Sequence, residues 1–556
     1  MNLQKVISTF RNRYVLAVFA GLIYAAAFPN LGIAGLAWIA PGLILFAARG
    51  KTGKEAFKIG YVSGFVIWLA MLYWLLHIPY RWMGIPLGPA LGWILLSSFL
   101  ALYTATWVLL CNTLYHSRFI SEGATWLKRS SWALQCAVLW IALEMIQSRF
   151  LSGFPWTLLG VSQHKLTPLI QIASIAGVYG VAFLVVWFSV SLLNAAYILI
   201  SRPSSYRSLM GEVFLPLFAT VIIAVWGFSR LTWPTPDYIQ ASIVREGSET
   251  TPASERKTIR IALVQPSIPQ EVIWDPEAVP ARFAQLMRVS EAALQEKPDL
   301  LVWPEAAMPG FTPEHFYAIT NMVARNRVWM ILGADDAEAK INGGPHDFQY
   351  FNASFLFNPE GHYVANYRKL RLVMFGEYVP LTRYLPFLKW FTPVEGGFTP
   401  GEAPVQFRLS DLGAQTTVLI CFEDVFPHYT GRYVEPETDF LLNLTNDGWF
   451  GHSAAQWQHA MTALFRAVEN GVPLVRCTNN GLTCWIDEYG RLREYLGQET
   501  GDIYSAGYLI CEVPVRQRHA RTFYNRHGDW FGWGCVAIGF ISMLPHLRKR
   551  RSAAAN

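Results

Sequence analysis

Charge is scarce in this 556-residue chain: 15% of residues are Asp, Glu, Lys or Arg, against 53% hydrophobic. That balance excludes an ordinary soluble or disordered protein and points to a membrane protein longer than one domain. Cysteine is scarcer still. Seven scattered residues, with no C-x-x-C pair and no His/Cys group at zinc-ligand spacing, exclude a disulfide scaffold and imply no metal. G-x-G-x-x-G, Walker and G-x-S-x-G signatures are lacking, so no dinucleotide, P-loop or serine-hydrolase chemistry is indicated. The net charge is only +6. Its densest basic run, LRKRRS at 547–552, adjoins an apolar segment, so membrane topology explains it and nucleic acid does not.

What is abundant is long apolar sequence. A membrane-crossing helix needs ~20 mostly apolar residues. Seven candidates fall at 14–28, 31–48, 58–77, 88–114, 131–147, 176–200 and 213–229, and an eighth at 530–546. The loops after the second, fourth, sixth and eighth, and the segment before the first, carry most Lys and Arg: Lys5, Arg11 and Arg13, then Arg49 and Lys51, Lys128 and Arg129, Arg202 and Arg207, and Arg548 to Arg551. An even number of spans puts all of these on one side, which the positive-inside rule assigns to the cytoplasm. Residues 1–231 thus read as a seven-span membrane domain, 232–257 as a Pro/Ser/Thr/Glu-rich linker, 258–518 as an outward-facing polar domain, and 519–556 as a last span with a basic tail. Glu144 is costly inside a bilayer, and pairing with nearby Arg149 is the expected remedy.

The polar domain alternates short apolar runs with helical stretches. TIRIALVQ, DLLVWPE, VWMILGA, YFNASFLFN, TTVLICFED, DFLLNLTND, VPLVRCTNN, LTCWIDE and YLICEVPV read as strands, and Ala281–Lys297 has helical apolar spacing. The pattern predicts a mixed α/β sandwich. Glu305 and Cys421 each close a strand-like run, where ligands gather in α/β sheets. A thiolate is the attacking form of cysteine, a carboxylate can take its proton, and a cation aimed at a carbonyl oxygen stabilises an oxyanion. Which cation serves stays open on these grounds among Arg368, Lys369, Arg371 and Lys389. Cys421 itself reads equally well as an inert core thiol.

Six longer motifs narrow this further: VQPSIPQEVIW (Val264 to Trp274), VWPEAAMPGF (Val302 to Phe311), KLRLVMFGEYVPL (Lys369 to Leu381), ICFED (Ile420 to Asp424), NLTNDGWFG (Asn443 to Gly451) and GFPWTLLGVSQ (Gly153 to Gln163). With these the chain resembles the apolipoprotein N-acyltransferases, membrane-bound members of the nitrilase superfamily, over nearly its whole length. The resemblance implies a polytopic helical membrane domain of about eight spans plus a nitrilase-like αββα sandwich. It implies Glu305 as general base, Lys369 as oxyanion-stabilising cation and Cys421 as nucleophile. It also implies Glu377 and Glu423 as acidic residues that orient the lysine and tune proton transfer, and Trp274 and Trp449 as borders of an acyl-chain cavity. Phe422 stands where the family often has tyrosine, leaving only its backbone N–H as an oxyanion donor.

The implied reaction moves an acyl chain from a phospholipid, expected to be phosphatidylethanolamine, through a Cys421 thioester to the α-amino group of a diacylated apolipoprotein. No cofactor, metal or nucleic acid enters, a monomer suffices, and the expected location is a bacterial inner membrane with the catalytic domain on the periplasmic side. A membrane-tethered nitrilase-type amidase or hydrolase is the alternative.

Overall fold

The computed structural model describes residues 12–79, 87–115, 125–201, 206–232, 258–273, 275–308, 310, 312–340, 347–380, 384, 397–515 and 521–555. Trp274 and nearly all of the 232–257 linker lie outside the described residues. The chain divides into two compact units, one of Met1–Leu75, Ala90–Trp233 and His527–Asn556, the other of Leu76–Pro89 and Pro234–Arg526.

The first unit is helical: α1 (Arg13–Ala26), α2 (Ala40–Ala47), α3 (Gly53–Met71), α4 (Gly88–Leu114), α5 (Trp126–Gln147), α6 (Val178–Ser201), α7 (Tyr206–Thr232) and a last helix over Trp530–Ala555. Among the described residues three stretches are long and apolar enough to cross a membrane: Gly88–Leu114, Val178–Ile200 and Gly211–Thr232. The segment expected at 31–48 is not one helix. A 3-10 turn at Ala34–Trp38 precedes the eight-residue α2, with Pro41 in its first turn. Small residues let helices approach closely. A Cβ on Gly60 would lie 2.9 Å from Ala105 Cα, and one on Gly64 3.0 Å from Ala101 Cα, so the α3–α4 contact depends on this Gly-x-x-x-Gly step.

Glu144 does not pair with Arg149. It accepts the Leu159 N–H at 2.8 Å, while Arg149 bonds Asp529 at the start of the last helix. Glu144 lies in the last turn of α5, and Arg149 lies two residues past its end.

The second unit holds twelve described strands in two six-stranded sheets. The first comprises β1 (Thr258–Gln265), β2 (Leu300–Val302), β3 (Trp329–Ala339), β4 (Phe348–Phe357), β5 (Tyr363–Arg368) and β12 (Gly507–Pro514), in the order β12-β1-β2-β3-β4-β5. The second comprises β6 (Gln406–Leu409), β7 (Ala414–Ile420), β8 (Phe440–Thr445), β9 (Leu474–Thr478), β10 (Cys484–Ile486) and β11 (Leu492–Tyr495), in the order β11-β10-β9-β8-β7-β6.

Each sheet has a parallel centre, β1-β2-β3 and β7-β8-β9, flanked by antiparallel edges. The central strands are buried on both faces, as parallel strands covered by helices must be. Helices α8 (Val279–Leu294) and α9 (Pro313–Asn326) cover the first sheet; α10 (Ala455–Asn470) lies between β8 and β9 in the chain and is buried along nearly its whole length.

Sequence dictates these helices locally. In α8, buried Leu286, Val289, Ser290 and Ala293 repeat at helical spacing. In α9, the Thr312 hydroxyl accepts the His315 N–H at 3.3 Å, Pro313 occupies the first turn, and Arg327 ends the helix at φ +52°. Between these helices and the sheet lie Leu286, Trp303, Ile319, Met322, Val323 and Met330, each such side chain contributing roughly 1.5–3 kcal/mol when fully buried. Strand β9 meets the first sheet directly, since the Cys477 thiol donates to the carbonyls of Val264 and Val302 at 3.3 and 3.4 Å. Two inner sheets with outer helices make the expected α/β sandwich.

Candidate active site

The carboxyl ends of four strands converge. Chain leaving β2 reaches Glu305, chain leaving β5 reaches Lys369, Cys421 follows β7 directly, and Asn446 follows β8. Strands β2, β7 and β8 belong to the parallel centres, and β5, two antiparallel steps from β3, runs in the same direction as β2 and β3.

Lys369 is buried to 1% exposure and donates from Nζ to Glu377 Oε1 at 2.8 Å and Glu305 Oε1 at 3.3 Å. Asn352 on β4 bonds the same two oxygens from its Nδ2, each at 2.8 Å, and its carbonyl accepts the Lys369 N–H at 2.8 Å. The Asn446 N–H holds Glu305 Oε2 at 3.0 Å, and the Val373 N–H holds Glu377 Oε2 at 2.8 Å. Two carboxylates, one ammonium and one amide thus form a closed group whose side chains have little freedom. Burial works against the lysine charge, but Glu377, Glu305 and Cys421 together hold its pKa well above the ordinary range.

Cys421 sits half-buried at φ +53°, a left-handed conformation that non-glycine residues rarely adopt. Asn443 Nδ2 donates to its carbonyl at 3.0 Å. Burial first, then Glu305, push the thiol well above its usual pKa, while Lys369 and a hydrogen bond with Thr445 pull the other way. Burial and the neighbouring Glu305 thus favour the thiol over the thiolate.

Glu423 acts at one remove. Its Oε2 accepts the Ile420 N–H at 2.8 Å, and its Oε1 accepts the N–H groups of Leu370 and Arg371 at 2.8 and 2.9 Å. The Tyr367 hydroxyl lies 2.8 Å from both oxygens, and the Tyr433 hydroxyl 3.3 Å from Oε1. The carboxylate therefore fixes the backbone after Lys369 to the backbone before Cys421, and it orients the lysine through the main chain rather than through Nζ. Phe422 packs edge-on against Phe426 at 4.9 Å, and Trp449 lies half-buried in the 3-10 turn after β8.

Sequence reasoning missed Asn352, Asn446 and a fully buried charged quartet behind the thiol. His459 Nε2 and Asp424 Oδ1 are 2.9 Å apart, and His459 Nδ1 and Asp447 Oδ1 2.8 Å. Arg476 bonds Asp424 and reaches Asp447 at 3.5 Å. The acidic partners of His459 lie 35 and 12 residues away in the chain, beyond any short motif. The Asn-Asp pair inside NLTNDGWFG was the one available signal.

Two family models match the chain: the apolipoprotein N-acyltransferase N-terminal domain over residues 20–191 and carbon-nitrogen hydrolase over residues 260–511. An apolipoprotein N-acyltransferase of Geobacter metallireducens is 34% identical over 548 residues, covering 97% of this chain and 96% of the relative. One from Vibrio cholerae is 31% identical, with coverage of 99% and 100%. Among solved structures, a mutant amidase from Nesterenkonia sp. AN1 is 17% identical, covers 46% of this chain and 93% of its own, and superposes with a TM-score of 0.33. The carbon-nitrogen hydrolase match spans β1 to β12, so the two-sheet unit is a nitrilase-like α/β domain.

Proposed function

This chain belongs to the apolipoprotein N-acyltransferase family, and on that footing we propose that it transfers an acyl chain from a phospholipid to the N-terminal amine of a diacylated lipoprotein. The observation that best supports this reading is the closed Glu305–Lys369–Glu377–Asn352 group beside the Cys421 thiol.

Cys421 is the nucleophile. As its sulfur attacks the donor's ester carbonyl, Glu305 takes the thiol proton, and the Lys369 ammonium stabilises the oxyanion. The carbon–oxygen bond breaks, the lysophospholipid departs with the proton from Glu305, and a Cys421 thioester is left. The lipoprotein's neutral amine then attacks the thioester; Glu305 relays a proton from nitrogen to sulfur as the carbon–sulfur bond breaks. Glu377 and Asn352 hold the lysine and the base in place, and Glu423 holds the two catalytic loops together. The Phe422 N–H is a further oxyanion donor in this reading, and Trp449 borders the acyl-chain cavity.

The apolar helices mark a membrane protein. In this reading residues 1–231 and 530–546 supply eight spans of an inner membrane, and residues 258–518 work on its periplasmic side as a monomer. Confinement of both lipid-anchored substrates to one leaflet raises their effective concentration. Phosphatidylethanolamine is the proposed donor. Water in place of the amine would make the same site a hydrolase, but matches of nearly full length to acyltransferases favour transfer.

The test is reconstitution of the full chain with phospholipid and a synthetic diacylated lipopeptide. The lipopeptide should gain one acyl mass. Cys421→Ala should reduce transfer to background, and Lys369→Met should lower kcat by about 10²–10³-fold. Release of free fatty acid with no modified lipopeptide would reject the proposal.

A further inference from the structure

Strand β3 carries a carboxylate toward the site that the mechanism above does not use. Side chains alternate along a strand, and directly paired residues on neighbouring strands share a face. Asp335 pairs in register with Asn352, whose amide bonds both Glu305 and Glu377. Two residues earlier, Gly333 is on that same face, where an added Cβ would lie 2.4 Å from the Pro304 carbonyl oxygen and 2.8 Å from Glu305 Cα. The Glu305 segment therefore lies against Gly333, with Asp335 next along the strand. Asp336 takes the opposite face, where it accepts hydrogen bonds from Asn366 at 3.0 Å and Arg368 at 2.7 Å.

Asp335 has no comparable anchor. Among the described residues its carboxyl group has no hydrogen-bond or ion-pair partner. The ionisable groups acting on it are Glu377 from the chain after β5 and Glu305 from the chain after β2, and the Lys369 ammonium bonds those two carboxylates. A half-buried carboxyl group in this setting lacks a cation of its own.

Resting on the acyl-transfer reading, we infer that Asp335 receives the acceptor's N-terminal ammonium group and takes the proton that must leave before nitrogen can attack. The balance is complete. The acceptor arrives as an ammonium ion and passes one proton to the Asp335 carboxylate, which later returns it to water. The neutral amine forms the nitrogen–carbon bond, the carbon–sulfur bond breaks, and a second proton travels through Glu305 to the Cys421 sulfur. Amide, free thiol and one released proton are the products.

Burial first, then Glu377 and Glu305, raise Asp335 to about 8. At that value Asp335 is mostly neutral at pH 7 in the free site, so it must first lose its proton to water before it can take one from an α-ammonium that titrates at about 7.7–8.0. The arriving cation itself favours the ionised carboxylate. Glu305 serves thiol and sulfur; Asp335 serves the second proton of the amine.

The experiment isolates the second half-reaction on full-length wild type and Asp335→Asn. Each is charged with labelled phospholipid until Cys421 is acylated, then discharged with either a diacylated lipopeptide or hydroxylamine, which is uncharged at neutral pH. Asp335→Asn should still acylate. Its discharge by lipopeptide at pH 7 should slow by about tenfold, because about a tenth of an α-amine is uncharged one unit below its pKa. The deficit should close by pH 9, and hydroxylamine should discharge both proteins alike. Asp335→Glu should restore much of the lost rate. Equal slowing with both nucleophiles would reveal a merely structural residue and overturn the inference, as would undiminished transfer to lipopeptide. If wild type never acylates on Cys421, the acyl-transfer reading fails first and takes this inference with it.

Discussion

Glu423 illustrates how one side chain can matter to catalysis without touching the reacting atoms. Its two oxygens are ringed by donors: the N–H groups of Ile420, Leu370 and Arg371 and the hydroxyls of Tyr367 and Tyr433. Replacement by glutamine keeps the shape but turns an NH₂ toward groups that also donate. Each buried donor left without an acceptor costs about 1–3 kcal/mol. Glu423→Gln should therefore lower the melting temperature. It should also reduce kcat more than it raises KM for phospholipid, because the loops bearing Lys369 and Cys421 lose their shared anchor. Thermal melting together with steady-state kinetics checks both; unchanged values in the two assays would show that the anchor is redundant. Lys369 and Cys421 stand in recognisable motifs, and Glu423 is expected from its motif only as an acidic residue that orients the lysine and tunes proton transfer. Only the fold reveals that its partners are backbone groups, which no residue pattern encodes.

At the scale of elements, the buried quartet joins β7, β8, β9 and α10 through Asp424, Asp447, Arg476 and His459. Two carboxylates balance a guanidinium and an imidazolium, so the cluster is neutral only when the histidine is charged. Burial alone would lower the His459 pKa; Asp424 and Asp447 reverse this and raise it from 6.5 to about 9. A histidine that binds its proton more tightly in the folded state adds stability below its unfolded pKa. That contribution is complete below pH 6.5 and disappears as pH rises through about 9. The wild-type melting temperature should fall across this window, whereas His459→Gln should start lower and respond less. A variant that melts with the wild-type pH dependence would remove this cluster as its source.

The same scale explains which elements the sequence disclosed. The apolar strands were readable, β1 over its observed bounds, because burial on both faces leaves a continuous apolar run. Strands β5 and β11 went unread: they close sheet edges, and polar Asn366, Arg368, Arg493 and Glu494 interrupt their apolar residues. Strand β6 is a four-residue edge with an exposed Arg408. The helix expected at Ala281–Lys297 begins two residues earlier, since Pro280 suits a helix's first turn, and ends at Leu294.

For the whole molecule, composition distinguished an apolar helical part from a polar α/β part, whereas the compact units place Leu76–Pro89, inside the expected 1–231 stretch, with the second unit. The second apolar segment shows where composition fails: hydropathy does not register the break before Ala40 or the short helix that follows. Composition also cannot reveal that Cys421, at a strand end of one sheet, meets Glu305 and Lys369 from the other. That meeting is the feature on which the proposed thioester route rests.

Its most direct test is the mass of the Cys421 peptide. Full-length protein would be incubated with phospholipid bearing an isotopically labelled acyl chain, quenched in acid, digested and weighed before and after addition of a diacylated lipopeptide. The expected result is one labelled acyl group on Cys421 that disappears as the lipopeptide acquires it. Label reaching the lipopeptide while Cys421 stays unmodified, or an acyl group on Cys421 that the lipopeptide cannot remove, would contradict the thioester route.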